Sequence, residues 1–225
     1  AEYLASADHR LDGGTGNDVL TSTIRLGAGY PQDGMQATAT NHLSGGVGQD
    51  ILTAFTDANH YGYNEEDGYV VGLARNSLDG GAGDDRLVST IAAGSGGASE
   101  LRGGEGCDTL TAIGGSGNLL DGGSGHDVLV GSEGQDRLMG GAGHDSLTGG
   151  HEADVFVFGA KGGRDIVIDF KNGLDLFEIG SGADDLSDLT IRAKGEDTLI
   201  RFADASILLK DTGTALIDAA DFVFV

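Results

Sequence analysis

Four aspartates, Asp127, Asp136, Asp145 and Asp154, follow one another at intervals of 9 residues, and each closes a glycine-rich hexad. The full set of hexads is GGTGND (13–18), GGVGQD (45–50), GGAGDD (80–85), GGEGCD (103–108), GGSGHD (122–127), GSEGQD (131–136), GGAGHD (140–145) and GGHEAD (149–154). Ser132 replaces the second glycine of one unit, and Glu152 replaces the third of another. Carboxylates are hard oxygen donors. Glycine reaches positive φ at little cost and leaves its carbonyl free to face an ion. The combination suits calcium, which takes about six to eight oxygens at about 2.3–2.6 Å from carboxylates and backbone carbonyls. On strands stacked roughly 4.8 Å apart, repeated aspartates repel one another unless a divalent cation lies among them.

The spacing also dictates what must hold these turns. Upstream the aspartates advance 18→50→85→108→127, in steps of 32, 35, 23 and 19. If two nine-residue units make one coil, the longer steps are coils with insertions on the far side, at about 22–40, 54–75 and 90–98. Asp18, Asp50, Asp85, Asp108, Asp127 and Asp145 then form one column, while Asp136 and Asp154 begin a second on the opposite side. Each hexad is followed by one residue and an apolar one, as in Val19-Leu20, Ile51-Leu52 and Val128-Leu129. Before the first-column turns lie HRLD (9–12), NHLS (41–44), NSLD (76–79), SELR (99–102) and LLD (119–121). Two short strands per coil, each with an inward apolar residue, predict an all-β parallel solenoid over residues 1–158. From about 159 to 225 the repeat gives way to segments such as DIVIDF (165–170), DTLIRF (197–202) and DFVFV (221–225), which predict a β cap. Such a cap covers the last coil and blocks edge-to-edge pairing.

Composition narrows the partners. The 225 residues carry 36 acids against 13 bases, a formal charge of −23. No basic patch exists to neutralise phosphates, which argues against nucleic acid, and against an anionic membrane surface. No apolar run reaches the length of a membrane span, and no N-terminal signal peptide is evident. Hydrophobic residues make up 39%, aromatics 6%, and tryptophan is absent, so the expected core is thin and aliphatic. Cys107 is the single cysteine, which leaves no intramolecular disulfide. HExxH, a nucleophile elbow and a P-loop are all missing, so the reading is of a chain that is not itself an enzyme. The start at Ala1 reads as a fragment or processed product of a larger protein.

GGSGHDVLV and GGAGHDSLT resemble the calcium-binding nonapeptide GGxGxDxUx of the repeats-in-toxin (RTX), or hemolysin-type, family. The segment ADVFVFGAKGGRDIVIDFKNGLDLFEI, with DTLIRF and ILLKD, is similar to the C-terminal part of the RTX modules of serralysin-type proteases and mannuronan C-5 epimerases. The resemblance implies a right-handed parallel β-roll with calcium between turns on adjacent coils. One turn gives the carbonyls of its first and third residues with its aspartate; the neighbour gives those of its second and fourth with its own. Carried over, the 18/50 site draws on Gly13, Thr15, Gly46 and Gly48, and the 50/85 site on Gly45, Val47, Gly81 and Gly83. The 85/108 site draws on Gly80, Ala82, Gly104 and Gly106, and the 108/127 site on Gly103, Glu105, Gly123 and Gly125. Gly122, Ser124, Gly141 and Gly143 serve 127/145, and Gly131, Glu133 and Gly150 serve 136/154, for about six calcium ions.

The family resemblance further implies a bacterial protein secreted to the extracellular space through type I secretion, with the C-terminal signal at Asp221–Val225. That segment reads equally as a last cap strand. On this view calcium, the secretion apparatus and an upstream enzymatic or adhesive domain are the partners, and the module supports folding, secretion and stability. The alternative is a carbohydrate-binding module for an alginate-like polysaccharide, using Tyr61, Tyr63 and Tyr69 of the middle insertion; a weaker one is an adhesin fragment. His126 and His144 share one position of adjacent turns and lie side by side, but two ligands are too few for a structural zinc site.

Overall fold

The computed structural model describes residues 5–26, 37–58, 63–64, 68–69 and 72–225. Two long parallel sheets face each other. The first runs, in both chain order and space, through Ala5–Thr15, Ala37–Val47, Leu73–Ala82, Gly96–Glu105, Asn118–Gly125, Asp136–Gly143, Val155–Phe158, Leu176–Ile179 and Phe222–Phe224. The second stacks Val19–Arg25, Ile51–Asp57, Arg86–Ile91, Thr109–Ile113, Val128–Val130, Ser146–Thr148 and Arg164–Val167. The cap completes it: Ala205–Leu209 pairs in parallel with Arg164–Val167, and Asp197–Phe202 and Thr190–Lys194 follow antiparallel. No helix among the described residues is long and apolar enough to cross a membrane.

Register explains the order. In the first sheet Leu11, Leu43, Leu78, Leu101, Leu120 and Leu138 are successive partners, continued by Phe156, Phe177 and Phe222. In the second, Leu20, Leu52, Leu87, Leu110, Leu129 and Leu147 are continued by Val167 and Leu209. Each interior coil therefore buries a pair of leucines, worth about 1.5–3 kcal/mol apiece. Leu11, on the first strand of the stack, is 39% exposed. At the other end Phe177 meets Phe156, Phe158, Phe170 and Phe222, a thicker aromatic core that the low aromatic content did not foreshadow.

The three wide coils differ from expectation in one respect. Their strands run on into the expected insertions: to Arg25 and from Ala37, to Asp57 and from Leu73, to Ile91 and from Gly96. Beyond the leucines these strands enclose a polar belt of Ser22, Asn41, Thr56, Asn76, Ser89 and Ser99, and past it a small cluster of Ile24, Ala39, Ala58, Ala74 and Ile91. Tyr61 lies outside the described residues. The backbones of Tyr63 and Tyr69 pair in a two-stranded antiparallel ribbon.

Candidate metal centre

Each first-column turn ends as its aspartate enters a second-sheet strand, with the leucine two residues later anchored in the core, whereas Asp136 and Asp154 lead into first-sheet strands anchored by Leu138 and Phe156. That spacing fixes every carboxylate at the same height on the edge of the roll. The backbone N–H of Asp18 donates to Oδ1 of Asp50 at 2.7 Å, and the relation repeats from Asp50 to Asp85, Asp85 to Asp108, Asp108 to Asp127 and Asp127 to Asp145, at 2.7–2.9 Å. One oxygen of each acceptor carboxylate is thereby held. The other has no partner: Oδ2 of Asp18, Asp50, Asp85, Asp108, Asp127, Asp145 and Asp154 is buried without a hydrogen bond. Seven desolvated carboxylate oxygens in repeated positions are costly unless a cation faces them.

The glycines supply the remaining donors. Gly46 has φ +104°, and a side chain there would collide with the carbonyl oxygen of Gly14. A Cβ on Gly13 would lie 2.7 Å from the carbonyl oxygen of Gly45 and 2.8 Å from Oδ2 of Asp18. That volume, bounded by carbonyl and carboxylate oxygens, is the place a hard cation fits. No group of three or more His, Cys, Asp or Glu side chains among the described residues is placed to hold a metal. A cation here depends on backbone oxygens, as the motif requires.

The geometry corrects the direction of the carbonyl assignment. Across the 18/50 gap the carbonyls of Gly14 and Gly16, the second and fourth residues of the upper turn, point down at Gly46 and Gly48. The carbonyl of Gly45, first in the lower turn, points up, and that of Val47 accepts the Gly16 N–H. The expected assignment of Gly13 and Thr15 with Gly46 and Gly48 is thus reversed. At the bottom of the column Gly140 points its carbonyl back at Gly122, whereas Gly143 faces the following turn at Gly163.

That following turn was not anticipated. AKGGRD (160–165) lacks the leading glycine pair, yet Asp165 accepts the Asp145 N–H at 3.1 Å and extends the first column by one step. Asp175 likewise accepts the Asp154 N–H at 3.0 Å, after Asp136 N–H to Asp154 at 2.9 Å, so the second column runs 136–154–175. Burial pushes the carboxyl of Asp108 up to about 7, that of Asp127 to about 6, and those of Asp154 and Asp165 to about 7. Asp85 and Asp145 rise for the same reason, and like-charged neighbours in the column add to it at Asp85.

The position before each aspartate forms an outer ladder. His126 and His144 stack with ring centroids 4.8 Å apart, and His126 Nδ1 accepts the His144 N–H at 2.9 Å. His144 Nδ1 accepts the Arg164 N–H at 3.1 Å, so both δ nitrogens are committed to the backbone. Cys107, in the same ladder, is an exposed free thiol.

The family comparison agrees with this construction. The model of the RTX calcium-binding nonapeptide repeat matches in four copies, at residues 10–22, 70–90, 113–147 and 130–160. No curated protein matches the chain. Among solved structures, the extracellular lipase LipA from Serratia marcescens is similar over 97% of this chain at 18% identity and a TM-score of 0.45; the chain spans 38% of the length of that protein. The chain carries calcium-binding nonapeptide repeats of the repeats-in-toxin family.

Proposed function

We propose that the chain is the calcium-dependent folding and stabilising module of a secreted RTX protein, exported to the extracellular space by type I secretion and joined to a further domain that carries the activity. The β-roll of residues 1–158 carries most of the calcium-binding turns, and residues 159–225 are the cap, whose 160–165 turn adds the last one. The repeats serve to bind calcium rather than to catalyse. The observation that carries this reading is the row of buried, unpartnered Oδ2 atoms from Asp18 to Asp145, with a glycine carbonyl of the next turn beside each as far as Asp127. Calcium between turns is held by Asp18, Asp50, Asp85, Asp108, Asp127 and Asp145, with Asp165 as the added last member. What calcium supplies is positive charge; the chain supplies oxygens, turn geometry and the leucine anchors.

The magnitude is enough to govern folding. Extracellular calcium modules bind with constants of about 10⁻⁴–10⁻³ M. At tenfold excess each site adds about 1.4 kcal/mol, so about six sites add about 8 kcal/mol, comparable with the 5–15 kcal/mol or so that keeps a typical domain folded. Circular dichroism of the intact chain before and after exhaustive EGTA dialysis tests this. The expected outcome is loss of the β signal in chelator and recovery on adding calcium. A melting curve unmoved by chelation would sink the proposal.

A further inference from the structure

The second column has the same aspartates but a different set of partners. Oδ2 of Asp136 is absent from the row of bare oxygens, because the Ser132 N–H donates to it at 2.5 Å. Its Oδ1 accepts the side-chain amide of Asn118 at 2.6 Å and the Asn118 N–H at 3.1 Å. Asp175 has a donor on each oxygen too, Oδ1 taking the Asp154 N–H at 3.0 Å and Oδ2 the Lys171 N–H at 2.8 Å. Gly150 donates its N–H to Asp169, and its carbonyl accepts the Lys171 ammonium. Gly150 is the second residue of its turn, the position whose carbonyl faces the next turn throughout the first column. At the fourth position Glu152 stands where the motif has glycine, held at φ +53°.

From this, and resting on the calcium reading above, we infer that calcium occupies only the first edge of the roll, and that the 131–136, 149–154 and 170–175 turns are closed instead by the Asn118 amide, the Ser132 N–H and the Lys171 ammonium. The residues of the expected 136/154 site do not fit a calcium ion. Both oxygens of Asp136 already hold N–H donors, and in the next gap, where Oδ2 of Asp154 is bare, the chain brings its own cation to the turn carbonyl. Ser132 and Lys171 are the substitutions that accomplish this.

Calcium bound per chain at saturation, measured by equilibrium dialysis on intact wild type, Asp127→Asn and Asp136→Asn, tests the inference. Asp127→Asn, which touches two gaps, is expected to lower the count by one or two. Asp136→Asn is expected to leave it unchanged, and a loss of one ion there overturns the inference alone. A wild type that binds no calcium overturns both it and the reading on which it rests. Should Asp136→Asn not fold, crystals of the wild-type chain grown in calcium decide. Anomalous difference peaks are expected between successive turns from 13–18 to 160–165. A peak between 131–136 and 149–154, or between 149–154 and 170–175, overturns the inference.

Discussion

The two edges of the roll solve one problem in two ways. Along the first, a carboxylate is repeated in every described coil from Asp18 to Asp165, and each link leaves a bare buried oxygen. Along the second, the matching column reads Asn41, Asn76, Ser99, Asn118 and only then Asp136, Asp154 and Asp175. Neutral amides and hydroxyls satisfy one another. Asn41 Nδ2 donates to Asn76 Oδ1 at 2.9 Å, Asn76 Nδ2 to Ser89 Oγ at 2.8 Å, and Ser89 lies 2.6 Å from Ser99. The difference teaches that burial of polar groups is not by itself what calls for a cation. Asn41 and Asn76 are as buried as the aspartates. What matters is whether the column carries net charge and whether its acceptors find donors within the chain.

Acid produces the largest contrast, between the aspartates of both columns and the neutral head of the second edge. In the metal-free chain the carboxyls of Asp108, Asp127, Asp154 and Asp165 lie above the ordinary value of 3.8, at about 6–7. The folded state then binds more protons than the unfolded one between about pH 4 and 7, so its stability rises as pH falls through that window. Protons replace calcium as the neutralising charge. Dialysed with EGTA and then into calcium-free buffer without it, the chain is expected to regain β structure and to show a rising melting temperature on titration from pH 7.5 to 4.5. With calcium held limiting, the same titration is expected to lower the melting temperature, because protons compete for the ligands. Parallel pH series by circular dichroism check both signs. Equal behaviour with and without calcium contradicts the charge argument.

Much of this was legible from spacing. Every column residue, charged or neutral, stands two before its core residue: Asp50 before Leu52, Asp127 before Leu129, Asn41 before Leu43, Asn76 before Leu78. Eight aspartates were found through their glycine frames. Asp165 and Asp175 were missed because AKGGRD and FKNGLD break that frame, although Asp165-Ile166-Val167 and Asp175-Leu176-Phe177 keep the rhythm. The asparagine column was visible as the head of NHLS and NSLD and was passed over, since an amide shows no chemistry until its neighbours are known. The direction of the turn carbonyls was not readable at all. Glycine only permits a positive φ, taken at Gly46 but not at Gly45, and register with the adjacent coil decides which gap each carbonyl enters.

Core and belt separate at the next level of energy. Leu129 is fully buried in the leucine ladder, and Leu129→Ala is expected to cost about 2–5 kcal/mol through lost contact and the cavity left behind. Asn76→Ala, which removes an acceptor of the Asn41 amide and the Thr56 hydroxyl and a donor to Ser89, is expected to cost about 1–3 kcal/mol. Urea denaturation at saturating calcium measures both, and equilibrium dialysis is expected to find the calcium count unchanged in each. Loss of a bound ion on Asn76→Ala would tie the two edges together and undo the contrast.

The smallest effect comes from the face between the edges. Arg137 makes a two-pronged ion pair with Glu178 at 2.6 and 2.7 Å, across the intervening Val155–Phe158 strand, and ties a narrow coil to the cap. The Arg137 side chain is 40% exposed, so water and salt screen the pair. Arg137→Met, which keeps the apolar stem, is expected to cost no more than about 1 kcal/mol and less at high salt. The Arg137 bond holds the Glu178 carboxyl below its usual 4.5, so the contribution is present above that pH and fades as pH falls through the lowered value. This is opposite in sign to the first-edge aspartates in the metal-free chain. Comparing wild type with Arg137→Met at pH 7 and pH 3, in low and high salt, reads the pair alone. A difference that persists undiminished at pH 3 and high salt would mean that the Arg137 contribution does not come from its pairing with the ionised Glu178.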